Sequence, residues 1–121
     1  MMSQITKTAL LAPFEIWEVQ LGNRAIKFFE PLVLTPFWHE TDPNDHGPPH
    51  LGVEYPDLDI SAFGANREEL WRCIRGEIRF VWRHCVRQDN EKLTPQHQKL
   101  KANYLAVAEE ELNAKESTFE S

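Results

Sequence analysis

Apolar and polar positions along the chain follow two different periods, and the change from one to the other marks the fold. Phe14-Glu15-Ile16-Trp17-Glu18-Val19-Gln20-Leu21 alternates and is rich in β-formers, which predicts a strand. Gly22-Asn23 is a two-residue turn signal, and Arg24–Glu30 follows as the second arm of a hairpin. Pro31 is expected to break that arm, with Leu32–Trp38 as a third strand placed at an edge or bulged by Pro36. After the polar stretch His39–His50 come two more short strands, Leu51–Tyr55 and Ile60–Phe63, joined by Tyr55-Pro56-Asp57-Leu58.

Beyond Gly64 the period lengthens to that of a helix. Asn66, with Glu69 three residues on, makes an N-terminal capping pair. At 100° per residue Leu70, Trp71, Ile74, Ile78, Val81, Trp82 and Cys85 share one arc. Arg72, Arg75, Arg79, Arg83 and Arg87 lie on the arc facing away from it. The pattern fades near Gln88-Asp89-Asn90, and Thr94-Pro95 opens a second helix with Pro at its first position. That helix is expected to run to about Asn113, with Leu100, Tyr104, Val107, Ala108 and Leu112 on one side. Strands first and helices after predict a single α+β domain over residues 1–121. Its antiparallel sheet of four to five strands is packed by the long amphipathic helix, with a second, C-terminal helix. Residues 1–13 are expected to form a flexible arm and 114–121 a frayed tail. The four tryptophans, Trp17, Trp38, Trp71 and Trp82, are read as core, with Trp38 partly exposed beside the polar loop.

Charge changes this picture more than size does. The 121 residues carry a net charge of −6, which argues against general binding to phosphate backbones. Yet every arginine except Arg24 lies between Arg67 and Arg87. Arg75/Arg79, Arg79/Arg83 and Arg83/Arg87 are like-charge i,i+4 pairs, each destabilising by roughly 0.2–0.5 kcal/mol. Glu68 can offset Arg72, whereas Glu77 points toward the apolar side and cannot serve the row. Two readings compete. One is a solvated face offset by Glu109, Glu110 and Glu111 on the second helix. The other is a docking surface for an acidic or mixed-charge protein partner, for which guanidinium groups suit bidentate carboxylate pairing. A homodimer through an open strand edge is compatible with either. No apolar run approaches the ~20 residues of a membrane helix, and Ala9–Ala12 is too short for a secretory signal, so a cytoplasmic location is expected.

Candidate chemistry is sparse. His39, Glu40, Asp42, Asp45, His46 and His50 crowd potential metal ligands into one loop. The calcium-loop echo Asp42-x-Asn44-x-His46-Gly47 fails because the twelfth position is Val53, and no standard zinc spacing is present. No metal and no cofactor are therefore expected. A metal-binding protein or metal-dependent enzyme using His39–His50 is the alternative function. Asp57 and Asp59 are more simply turn residues, His84 has no nucleophile beside it, and no phosphate loop, nucleophile elbow or HExxH pair occurs. Cys73 and Cys85, twelve positions apart on one helix, are about 18 Å from each other and read as reduced. No catalytic residue is expected.

From about Leu32 to Arg87 the order of signals resembles the HicB-type antitoxin domain. The resemblance rests on Leu51-Gly-Val-Glu-Tyr-Pro56-Asp57-Leu58 and on Ala62-Phe63-Gly64-Ala65-Asn66-Arg67-Glu68-Glu69-Leu70. It implies a partial ribonuclease-H-like β-β-β-α unit in a small non-enzymatic module that binds and masks an RNA-cleaving toxin, often as a dimer. It supplies no catalytic residues. The hairpin Phe14–Glu30 is extra to that pattern. Thr94–Ser121 does not read as the DNA-binding segment many members carry there, so nucleic acid is not an expected partner of this chain alone.

Overall fold

The computed structural model describes residues 9–39 and 50–112. It is α+β, with two three-stranded antiparallel sheets where the sequence predicts one sheet of four to five strands. Strands β1 (Phe14–Leu21), β2 (Arg24–Leu34) and β6 (Ala108–Leu112) form the first sheet in the order β1-β2-β6. Strands β3 (Phe37–His39), β4 (His50–Tyr55) and β5 (Ile60–Gly64) form the second, in chain order. The split falls at Thr35-Pro36, where the chain leaves β2 before β3 begins. Proline has no N–H to give a ladder. Pro31, expected to end its strand, lies inside β2 instead. β6 pairs β2 only over Arg24–Phe28, so the missing donor at Pro31 falls beyond that ladder.

Contacts group the chain into two compact units. In the unit holding residues 33–77, β3, β4 and β5 form a meander with register His39↔His50, Phe37↔Gly52 and Val53↔Ala62. Pro56–Leu58 makes a single tight turn, closed by Asp59, whose N–H donates to Pro56 O at 3.0 Å from a left-handed backbone (φ 55°). Aspartate tolerates that conformation better than most residues. Helix α1 (Arg67–Val81) follows, and Leu51, Val53, Leu58, Ile60, Ala62, Leu70 and Ile74 are buried within this unit. Its start is capped as the spacing predicts. Glu69 N–H donates to Asn66 Oδ1 at 2.9 Å, and the Glu69 carboxylate accepts from Ala65 N–H at 2.8 Å. A Cβ at Gly64 would run into the backbone of Glu69 and Leu70, so only glycine lets the helix start this close to β5.

The other unit contains residues 15–32 and 78–112 of the described chain. Here α1 continues through a wide π-type turn, Trp82–Val86, closed by Arg87 N–H to Trp82 O at 3.0 Å. Helix α2 (Pro95–Val107) is N-capped by Thr94 Oγ1, which accepts from His97 N–H at 3.2 Å. It ends earlier than predicted. Ala108-Glu109-Glu110-Glu111-Leu112 is not the helix's last turn but β6, with Ile26↔Glu110 and Lys27↔Glu109 in register. Glutamate favours helix intrinsically, yet here cross-strand contacts to β2 outweigh propensities of a few tenths of a kcal/mol per residue. Tyr104 is buried with its ring edge-on to Trp82, centroids 6.0 Å apart. Ile16, Val19, Ile26, Phe28, Ile78 and Val81 are also buried in this unit. Trp17, expected in the core, is 57% exposed: its neighbour Glu18 is exposed too, and that out-of-phase pair turns it to solvent.

Candidate functional site

The six arginines borne on α1 and its continuation have different fates. Arg67 lies on the same arc of the wheel as Ile74 and serves its own chain. Its Nη1 donates to the carbonyls of Leu10 (2.9 Å) and Ala12 (2.6 Å), and its guanidinium lies 4.1 Å from the Phe14 ring centre. Phe14 in turn stacks on Trp71 at 6.0 Å. Arg72 meets Glu68 one turn earlier at 3.4 Å, with both side chains largely exposed. A pair so open to water contributes little. Arg75 lies over Trp71 at 5.3 Å from the ring centre. Its buried Nε finds no acceptor among the described residues. Arg79 Nε donates to the Gln20 carbonyl at 2.8 Å.

At the far end Arg87 Nε donates to Glu110 Oε1 at 2.7 Å. The same carboxylate oxygen accepts from the Trp82 indole N–H at 2.7 Å, and the other oxygen is ion-paired with Arg24. The hydrogen bond from Arg87 is the main force holding the Glu110 carboxyl below the usual glutamate range. Partial burial opposes it, and the Trp82 and Arg24 contacts add to it. Arg87 closes the π-type turn through its N–H, and from there its side chain reaches β6. Among the described residues, offsetting of the arginine row by Glu109–Glu111 is confined to Arg87 and Glu110. Glu111 pairs with Lys27 at 3.2 Å.

Arg83 is exposed, and its guanidinium has no acceptor among the described residues. Beside it stands Phe80, 63% exposed, its ring 4.5 Å from that of His84. Gly76, one turn before Phe80, is also exposed, and a Cβ placed there would meet nothing within 4 Å. Phe80 is the residue that attention to charge alone overlooks. The wheel that places Arg72, Arg83 and Arg87 outward puts Phe80 on the same side. Phe80 is the most exposed of the nine large hydrophobic side chains that stand open to solvent among the described residues, and the one flanked by arginines on the same helix.

The remaining candidates make local contacts. Asp59 closes its turn, and the His84 ring lies against Phe80, tilted by 44°. Cys85 is buried, donates from Sγ to His97 O at 3.1 Å, and has its thiol pKa pushed up by burial. Cys73 is a free, half-buried thiol. Glu77 accepts from Ser61 N–H at 2.7 Å, and burial pushes its carboxyl upward despite that bond. Among the described residues no three His, Cys, Asp or Glu side chains converge as a metal site. Of the loop considered for metal, Glu40, Asp42, Asp45 and His46 lie outside the described residues, whereas His39 and His50 face each other across β3 and β4. No described helix is long and apolar enough to cross a membrane. No protein-family model matches the chain, and neither a curated protein nor a solved structure does so.

Proposed function

We propose that the chain is a non-enzymatic protein-binding module that docks an acidic or mixed-charge protein surface through the outward face of α1 and its continuation. The observation that carries this is Phe80, 63% exposed between Arg79 and Arg83, the latter unpaired among the described residues. An aromatic anchor beside guanidinium groups matches the composition of binding hot spots. Arg72, Arg75, Arg79, Arg83 and Arg87 contribute unequally in this reading. Arg83 and Arg72 bind the partner, Arg75 and Arg79 shape the flank, and Arg87 is already engaged by Glu110. The meander β3-β4-β5 running into a capped helix supports an antitoxin- or immunity-like masking role, as the HicB resemblance implies. Among the described residues β3 is also an edge strand, through which two copies can pair.

The test is affinity capture from source cells, using the unmodified chain beside the double variant Phe80→Ser, Arg83→Glu. A protein held by the first and weakened by about 2 kcal/mol or more in the second supports the reading. That protein should also be released as salt screens the charges. Equal recovery by both baits, together with a monomer by light scattering, refutes it.

A further inference from the structure

We propose that His39 and His50 form a two-imidazole chelate for a divalent transition-metal ion of the Cu2+, Ni2+ or Zn2+ class. The two residues sit directly opposite one another in the β3–β4 register, so their side chains leave the same face of the sheet. Their ring centres are 4.7 Å apart with planes inclined by 36°. A metal bound by an imidazole nitrogen at ~2.0–2.1 Å lies about 3.2 Å from the ring centre. Two such ligands at ~90–109° to each other have ring centres about 4.5–5.2 Å apart, and the observed spacing falls inside that interval.

The pair is also held in place. The His50 ring stands edge-on to Phe63, at 5.2 Å and 82°. Phe63 stands edge-on to Phe37, at 6.3 Å and 84°. Both phenyl rings close over Gly52, where a Cβ would meet Phe37 Cζ at 2.6 Å and Phe63 Cε1 at 2.8 Å. Packing against Phe63, itself seated over Gly52, restricts the His50 ring before any ion arrives, which lowers the cost of binding. Nitrogen donors select borderline metals and reject Ca2+ and Mg2+, which require oxygen. His39 is exposed, which gives water access to the remaining coordination positions. The site uses no residue of the arginine-bearing helix face and adds a second chemistry to the protein.

The test uses the full chain, stripped with a chelator and titrated calorimetrically with Zn2+ and, separately, Ni2+. One ion per chain is expected. Since losing even an outer-shell partner costs about 10–100-fold, His39→Ala and His50→Ala should each weaken binding by more than about tenfold. His97→Ala and Arg83→Glu should leave it unchanged. Electron paramagnetic resonance of Cu2+ on the unmodified chain should show two coordinated imidazole nitrogens, a readout that does not depend on any variant folding. Affinity retained in either single variant, or a copper spectrum without paired nitrogen, overturns the proposal.

Discussion

Both sheets are three-stranded and antiparallel, but they are held by different means. The meander β3-β4-β5 pairs strands that follow one another in the chain. Its polar fastenings run from side chains to backbone, Asn66 and Glu69 at the helix start and Glu77 on Ser61 N–H, with a backbone bond from Asp59 N–H closing the turn. The β1-β2-β6 sheet closes only when the last described strand returns to β2, and its most shared side-chain fastening is one carboxylate, Glu110, held by Arg24, Arg87 and Trp82, with the Lys27–Glu111 pair beside it. The first arrangement spreads small local terms over many groups. The second concentrates a larger one on a single side chain, and it loses loop-closure entropy before any contact forms.

The sharpest way to break that contrast is at Trp82. It is 2% exposed and both fills its unit and donates to Glu110. Trp82→Ala should cost about 3–5 kcal/mol in urea unfolding. Glu110→Gln comes next, at about 1.5–3 kcal/mol, because it weakens charge-assisted bonds from two guanidinium groups at once.

The same carboxylate sets a pH dependence. Its pKa is lowered in the fold, so its stabilisation is complete above the ordinary glutamate value of about 4.3 and fades as pH falls through the lower native value. Glu77 has the opposite sign. Its raised pKa means the fold loses stability as pH rises from the ordinary value through the native one. Acid titrations of Glu110→Gln and Glu77→Gln should therefore diverge from the unmodified chain in opposite directions, a result that tests the division between the two units.

In the meander unit, where the fastenings are many and small, Asn66→Ala should cost only about 1 kcal/mol in the same unfolding measurement. The smallest effect has a reversed sign. Gly76→Ala should stabilise the helix by about 0.5–1 kcal/mol, since the added methyl meets nothing. If the helix face docks a partner as proposed, the same methyl should weaken capture while raising the melting temperature.

Legibility in the sequence divides along the same line. The Pro56–Leu58 turn, the Asn66/Glu69 cap and the apolar stripe of α1 are local, and each was readable from residues within one turn or hairpin of one another. The strand at Ala108–Leu112 was not, because Glu-Glu-Glu after a helical run has no strand signal of its own. Only β2, with Lys27 and Arg24 across the ladder, makes it extended. Trp17 misled for a related reason: alternation predicts facing only until two consecutive residues share a side. The arginine stripe was legible as a stripe. Which of its members were already engaged depended on Leu10, Ala12, Gln20 and Glu110, and none of these is near its arginine in sequence.

Helix α2 passes into β6 with no residue between Val107 and Ala108. That seam leaves no slack to absorb a length change. One inserted amino acid there would turn the strand over, facing Glu109 and Glu111 inward and sending Glu110 out to solvent. Substitutions at this junction should therefore be tolerated far better than insertions.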